Sequence, residues 1–171
     1  MKQFFPIFIL FFSCEVCKAD FKEAALIEAQ KYEAQIIRDI WRVPHIQGKR
    51  DEDVAFGLAF AHAEDDMQNL IKNMSLYRAQ MGLNEGFDGA VTDYLIKVLG
   101  IRERVTSRYE SDLSFEVRKV IEAYSVGLNY WAALHPESKY ITNFPITKQD
   151  IVVGFSIQNL FFSGVISSIE K

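Results

Sequence analysis

The stretch from residue 34 to residue 65 constrains the fold more than any other. Ile36, Ile37, Ile40, Trp41 and Val43 are β-branched or aromatic and favour a strand. Pro44 pushes Val43 into an extended conformation, and Gly48 supplies a turn. Residues 34–48 therefore predict a strand, a tight bend and a second short strand. Asp51, Glu52 and Asp53 follow and place negative charge where a helix has its positive end. Phe56, Phe60, Met67, Leu70, Met74 and Tyr77 then recur at helical spacing, which predicts one long helix over 51–81.

The rest of the chain reads as helices and connectors. Asp20-Phe21-Lys22-Glu23 is an acidic cap with Glu three residues later, a helix-start pattern, and 24–34 is rich in good helix formers. Residues 82–89 hold three glycines in eight positions and predict a loop. Further helices are expected over 91–99, 114–134 and 148–168. Thr147-Lys148-Gln149-Asp150 opens the last as a capping box with Asp in place of Glu. Pro136 and Pro145 bracket a polar connector. There are no repeats and no low-complexity tracts. The expected fold is mostly α with a small β-hairpin element.

Length and composition frame this reading. A chain of 171 residues with 49% apolar and 25% charged residues fits one globular domain. The formal charge of −4 comes without a basic block, so nothing points to nucleic acid, whose binding needs clustered Lys and Arg. The N-terminus has the order of a signal peptide: Lys2, the apolar run from Phe4 to Phe12, then Cys17-Lys18-Ala19 before Asp20. The apolar run is far shorter than the roughly 20 residues that span a bilayer. The expected division is a signal peptide over 1–19 and a single domain over 20–171, exported to the periplasm or the medium. A buried N-terminal element and a lipoprotein anchored at Cys14 are the alternatives. Removing 1–19 takes away Lys2, Lys18, Glu15 and both cysteines, leaving a net charge of −5 and no thiol.

Local chemistry is sparse. His62 lies near Glu64, Asp65 and Asp66, but on a helix it faces positions 65 and 66 rather than 64, so a packing pair outweighs metal ligation. His45 follows the bend at Pro44, and His135 precedes Pro136 at a helix end, where solvent exposure is expected. There is no Gly-x-Ser-x-Gly elbow and no phosphate-binding glycine loop. The chain does not read as a self-sufficient enzyme. The 148–168 helix is apolar on nearly all sides, from Ile151, Val153, Phe155, Ile157 and Leu160 to Val165. Such a helix is either ordinary core or packs on another chain and lines an apolar pocket.

Four stretches carry a resemblance: Ile36-Ile37-Arg38-Asp39 with Val43-Pro44-His45-Ile46; Asp53 to Gly57; Ala61-His62-Ala63-Glu64-Asp65; and Ala123 to Asn129. In order and spacing they resemble the α chain of the penicillin acylase and acyl-homoserine lactone acylase family of N-terminal-nucleophile hydrolases, over roughly residues 33–165. Two positions depart from the family pattern. Arg42 stands where a Gly is usual, which is expected to alter the bend. Asp66 stands where Arg is common, which is expected to cost Asp65 a salt-bridge partner.

The resemblance implies the α-chain part of an αββα (α+β) fold whose precursor is exported and cut into two chains. It implies an amide-hydrolysing enzyme acting on linear substrates such as N-acyl-homoserine lactones or β-lactam and lipopeptide antibiotics. The nucleophilic Ser would start a β chain not present here, with its own α-amino group as base, so no catalytic residue is expected in this chain. The expected partners are that β chain and a small acylated amide, with no nucleic acid and no membrane span. Phe161, Phe162 and Val165 are the implied acyl contacts. Phe161 and Phe162 diverge by about 100° on a helix, so one is expected in the core and the other in a pocket wall. Some members bind calcium; here Glu170 is the only nearby carboxylate and one is too few, so no cofactor is expected. The sequence fits a separate α-like subunit, a truncated product or a fragment. The alternative reading is a non-catalytic exported helical binding protein.

Overall fold

The structure, a computed structural model, describes residues 12–163, and their side chains from Asp20 onward. Strands β1 (Ala34–Arg38) and β2 (Pro44–Gly48) form the expected hairpin, antiparallel in the register Ala34↔Gly48 to Arg38↔Pro44. The bend between them keeps the shape a glycine would give it. Arg42 takes φ of +65°, a left-handed conformation that costs a residue with a Cβ about 1–2 kcal/mol. Its neighbours over-determine it. Asp39 Oδ1 accepts from the backbone N–H of Trp41 at 2.8 Å and of Val43 at 2.9 Å, and Arg38 Nη1 donates to the Arg42 carbonyl at 3.0 Å. The expected distortion at Arg42 is thus absorbed as backbone strain, and the turn survives.

Seven α-helices surround the hairpin among the described residues: α1 (Phe12–Ala29), α2 (Asp51–Tyr77), α3 (Gly82–Glu85), α4 (Phe87–Leu99), α5 (Ile101–Asp112), α6 (Phe115–Leu134) and α7 (Lys148–Phe162), with a 3₁₀ turn at Ile141–Asn143. Helix α1 runs through Asp20 without a break, so the expected cap there does not form. Residues 82–89 hold α3 and the start of α4 in place of the expected loop. Helix α5 was not anticipated: its sequence is strongly polar and only Tyr109 is buried, so it shows no apolar period. Helix α6 starts where expected, with Ser114 Oγ accepting from the Val117 N–H at 3.3 Å. None of the described helices is long and apolar enough to cross a membrane.

The core lies between α2, α6 and α7, centred on Leu70, Met74, Leu128, Ile146, Val153 and Ile157. The α2–α6 seam is set by small residues. A Cβ on Gly127 would sit 2.4 Å from the Phe56 carbonyl oxygen and 2.8 Å from Ala59, so the helices touch backbone to backbone. Helix α2 is interrupted at Asp66, whose φ of −146° and ψ of 44° are not helical. The Asp66 carboxylate accepts from the Asn69 side-chain Nδ2, one turn on, at 2.9 and 3.0 Å.

Candidate functional site

Three of the motif stretches bond to one another, through Arg38 to Glu64 and Asp65 and through His62 to Tyr124, and the fourth, Asp53 to Gly57, packs beneath the hairpin. Gly57 lies under the hairpin, where a Cβ would come within 2.8 Å of Ile46 and 2.9 Å of Ala34. One turn earlier, Asp53 is 1% exposed. It accepts from the Glu33 N–H at 3.1 Å and from Arg50 Nη2 at 2.6 Å. The Arg50 hydrogen bonds hold its pKa below the usual carboxylate range, against the opposing effect of burial. At the other end of the hairpin, Arg38 reaches α2 and donates to Glu64 at 2.8 Å and to Asp65 at 3.0 Å. Asp65 therefore has a cationic partner despite Asp66, because that partner comes from β1. Asn129, in the last stretch, donates to the Ile146 carbonyl at 2.9 Å and accepts from the Ile146 N–H at 2.8 Å, fixing the approach to α7.

Between α2, α6 and α7 lies a cavity of about 450 Å³. Its apolar walls include Leu58, Leu70, Met74, Ile121, Ile151 and Phe155. Gly154 leaves room for Tyr77, whose ring carbon would be 2.4 Å from any Cβ there. Two polar pairs interrupt the wall. His62 Nδ1 and the Tyr124 hydroxyl share a hydrogen bond of 2.6 Å, and Gln158 Nε2 donates to the Tyr77 hydroxyl at 3.2 Å. Burial pushes the Tyr124 phenol up to about 12, so it stays protonated at neutral pH. Among the described residues, no Ser, Cys, Lys, Asp or Glu lines the cavity. A concave, partly open apolar wall with a few fixed polar groups is the chemistry of binding.

His62 thus faces Tyr124 rather than its acidic neighbours on α2, a contact across 62 residues that helical spacing does not reveal. His135 is half-buried and stacks on Trp131 at 4.3 Å between ring centroids, where exposure was expected. His45 Nε2 lies 3.3 Å from Asp39 Oδ2. Among the described residues no three His, Cys, Asp or Glu side chains converge as metal ligands.

Helix α7 buries one side only, through Asp150, Ile151, Val153, Gly154 and Ile157. Phe161 and Phe162 end the helix at 52% and 89% exposure. Neither is buried among the described residues, and the cavity's last described α7 residue is Gln158, about one turn before them. Val165 and Glu170 lie outside the described residues.

Comparison with known proteins follows the same stretches. The sequence matches the penicillin amidase family over residues 33–162. It is 33% identical over 101 residues to the penicillin acylase 2 proenzyme of Pseudomonas sp. (strain SE83), a match covering 58% of this chain and 13% of that protein. Most of that relative's length therefore has no counterpart here. The fold is similar to a chain of the thermostable penicillin G acylase from Alcaligenes faecalis, with a TM-score of 0.61 over 72% of this chain and 70% of that one, at 18% identity; at that identity the likeness is one of fold. With the family pattern running through residues 33–162, most of its length, the chain belongs to the penicillin amidase family.

Proposed function

We propose that this chain is the α-chain-like portion of an exported acylase that hydrolyses linear amide bonds, with the nucleophilic Ser on a second, β chain. The observation that carries this reading is the interlocking of the four motif stretches around a cavity that has walls but no nucleophile. The coverage of the relatives supports it. The chain matches a small part of a proenzyme but a comparable share of itself and of one penicillin G acylase chain, as expected of a unit that functions as one chain of a divided enzyme. N-acyl-homoserine lactones and acylated antibiotics are the substrate classes to try first. Phe161 and Phe162, apolar and exposed at the end of α7, are proposed with Val165 as acyl contacts, completed by the β chain.

The test is to purify the chain and assay it against acyl-homoserine lactones and phenylacetylated or aliphatic amides, alone and with a β chain that begins with Ser. Turnover is expected only with the β chain. Turnover by this chain alone would overturn the division of labour.

A further inference from the structure

Helix α5 has little apolar surface to hold it. Its residues are strongly polar and only Tyr109 among them is buried, so apolar burial alone does not account for its place. Tyr109 is 3% exposed and belongs to the main core cluster. Lys148 Nζ, at the start of α7, lies 4.8 Å from its ring centre. Burial pushes the phenol up to about 12, so the hydroxyl keeps its proton at neutral pH and remains a donor.

That hydroxyl has no hydrogen-bond partner among the described residues, and neither has the buried Nε of Arg118 on α6. The two atoms belong to one corner. Arg118 bonds Glu110, which follows Tyr109 in the chain, and its charge acts on the Tyr109 phenol. Buried polar groups in folded proteins are almost all paired, with protein or with ordered water. Two buried donors in one corner therefore call for an acceptor between them.

The surrounding charges say what that acceptor is. Arg118 pairs with Glu110, and Lys148 lies 2.6 Å from Glu122 and 3.9 Å from Glu110. Two cations face two carboxylates, so the corner is neutral. The effect of Glu122 on the phenol outranks that of Arg118, which disfavours an anion beside the hydroxyl. A cation would meet an Arg Nε–H that can only donate. A small neutral molecule that accepts from both donors, with protons of its own for the carboxylates, satisfies every group, and water is that molecule.

We propose that an ordered water bridges the Tyr109 hydroxyl and Arg118 Nε, and that this bridge fastens α5 to α6. The consequence reaches α7, because α5 carries Arg102, whose guanidinium bonds Asp150 in the first turn of α7 at 2.6 Å. The proposal stands apart from the acylase reading.

The test uses the full chain. A crystal structure fine enough to show waters is expected to hold one within about 3 Å of both atoms. Direct contact between Arg118 Nε and the hydroxyl, or a halide between them, overturns the proposal. Denaturant unfolding gives a second reading, decided by its sign. With the water in place, Tyr109→Phe removes one of its partners and should lower the folding equilibrium constant about two- to tenfold. With the hydroxyl unpaired, the same substitution removes a buried polar group and raises that constant. Arg118→Lys keeps a charge for Glu110 and removes Nε. It should cost a similar factor, and the double variant should lose less than the product of the two, because both act through one water. Unchanged or raised stability in either single variant, or fully multiplied losses in the double, overturns the bridge. Hydrogen exchange in Tyr109→Phe should quicken at α5 amides and not at those of α2; equal quickening in both helices overturns the fastening of α5.

Discussion

Helix α2 is fastened at both ends by a buried aspartate, and the two fastenings are built differently. At its start, Asp53 takes its cation from Arg50, three residues earlier, and Arg50 is half exposed. The knot is local and joins the helix to the hairpin through the Glu33 N–H. At its end, Arg78 donates to Asp150, at the third position of α7, at 2.7 Å, while Arg102 from α5 donates to the same carboxylate at 2.6 Å. Arg78 also holds the Asn143 and Pro145 carbonyls at 2.6 and 2.8 Å. Burial works to raise the Asp150 pKa, but Arg78, the Thr147 N–H and Arg102 outweigh it and hold it far below the usual range. The lesson is one of replaceability. If Asp53 is lost, Arg50 can turn to water. If Asp150 is lost, two arginines and a helix cap lose their acceptor together.

Asp150→Asn should therefore have the largest effect, about 3–5 kcal/mol, as for a buried charge deprived of its partner. Asp53→Asn should cost less, about 1.5–3 kcal/mol, the range for hydrogen bonds to charged groups. Denaturant unfolding of both variants checks the order, and an equal or reversed order breaks the comparison. Acid sharpens it. Because both folded pKa values are depressed, the stabilisation is present above the unfolded value of about 3.9 and is lost as pH falls below it towards the folded values. Each such proton contributes at most about 1.4 kcal/mol per pH unit of slope. Asp150→Asn should flatten this acid limb more than Asp53→Asn, measured as melting temperature between neutral and strongly acid pH. The smallest effect concerns the hairpin end alone. Arg42→Gly should relieve the positive φ and raise stability by less than about 1 kcal/mol, since glycine's freedom in the unfolded chain offsets part of the gain. A loss of stability there would mean that the Arg42 side chain contributes more to the hairpin end than its backbone costs.

Of the Asp53 knot, the acidic helix start after a strand pair was legible in the sequence; its partners were not, since the Glu33 N–H lies 20 residues away across the hairpin and nothing in the pattern singles out Arg50. The Thr147–Asp150 box was legible because its parts lie three residues apart, with Asp150 Oδ2 accepting from the Thr147 N–H at 2.9 Å. Arg78 and Arg102, which complete the second knot, lie 72 and 48 residues from Asp150, and no periodicity connects them. The candidate site divides similarly. Its apolar α2 wall at Leu70, Met74 and Tyr77 followed from helical spacing, whereas the His62–Tyr124 pair and the place of Phe155 in the wall depend on how helices cross. Helix α5 went unread because it buries almost nothing of its own and is held by what others offer it, including Lys148 Nζ lying 4.8 Å from the Tyr109 ring centre.

The break at Asp66 gives α2 two hydrogen-bond ladders in place of one. Leu58 and His62 come from the first and Leu70, Asn73 and Met74 from the second, so the break sits opposite the cavity's middle. The cavity can breathe by flexing there, with neither ladder opening. Its occupancy should therefore register as slowed exchange of the amides just after Asp66, in the first turn of the second ladder, where the N–H groups have no intrahelical carbonyl to bond.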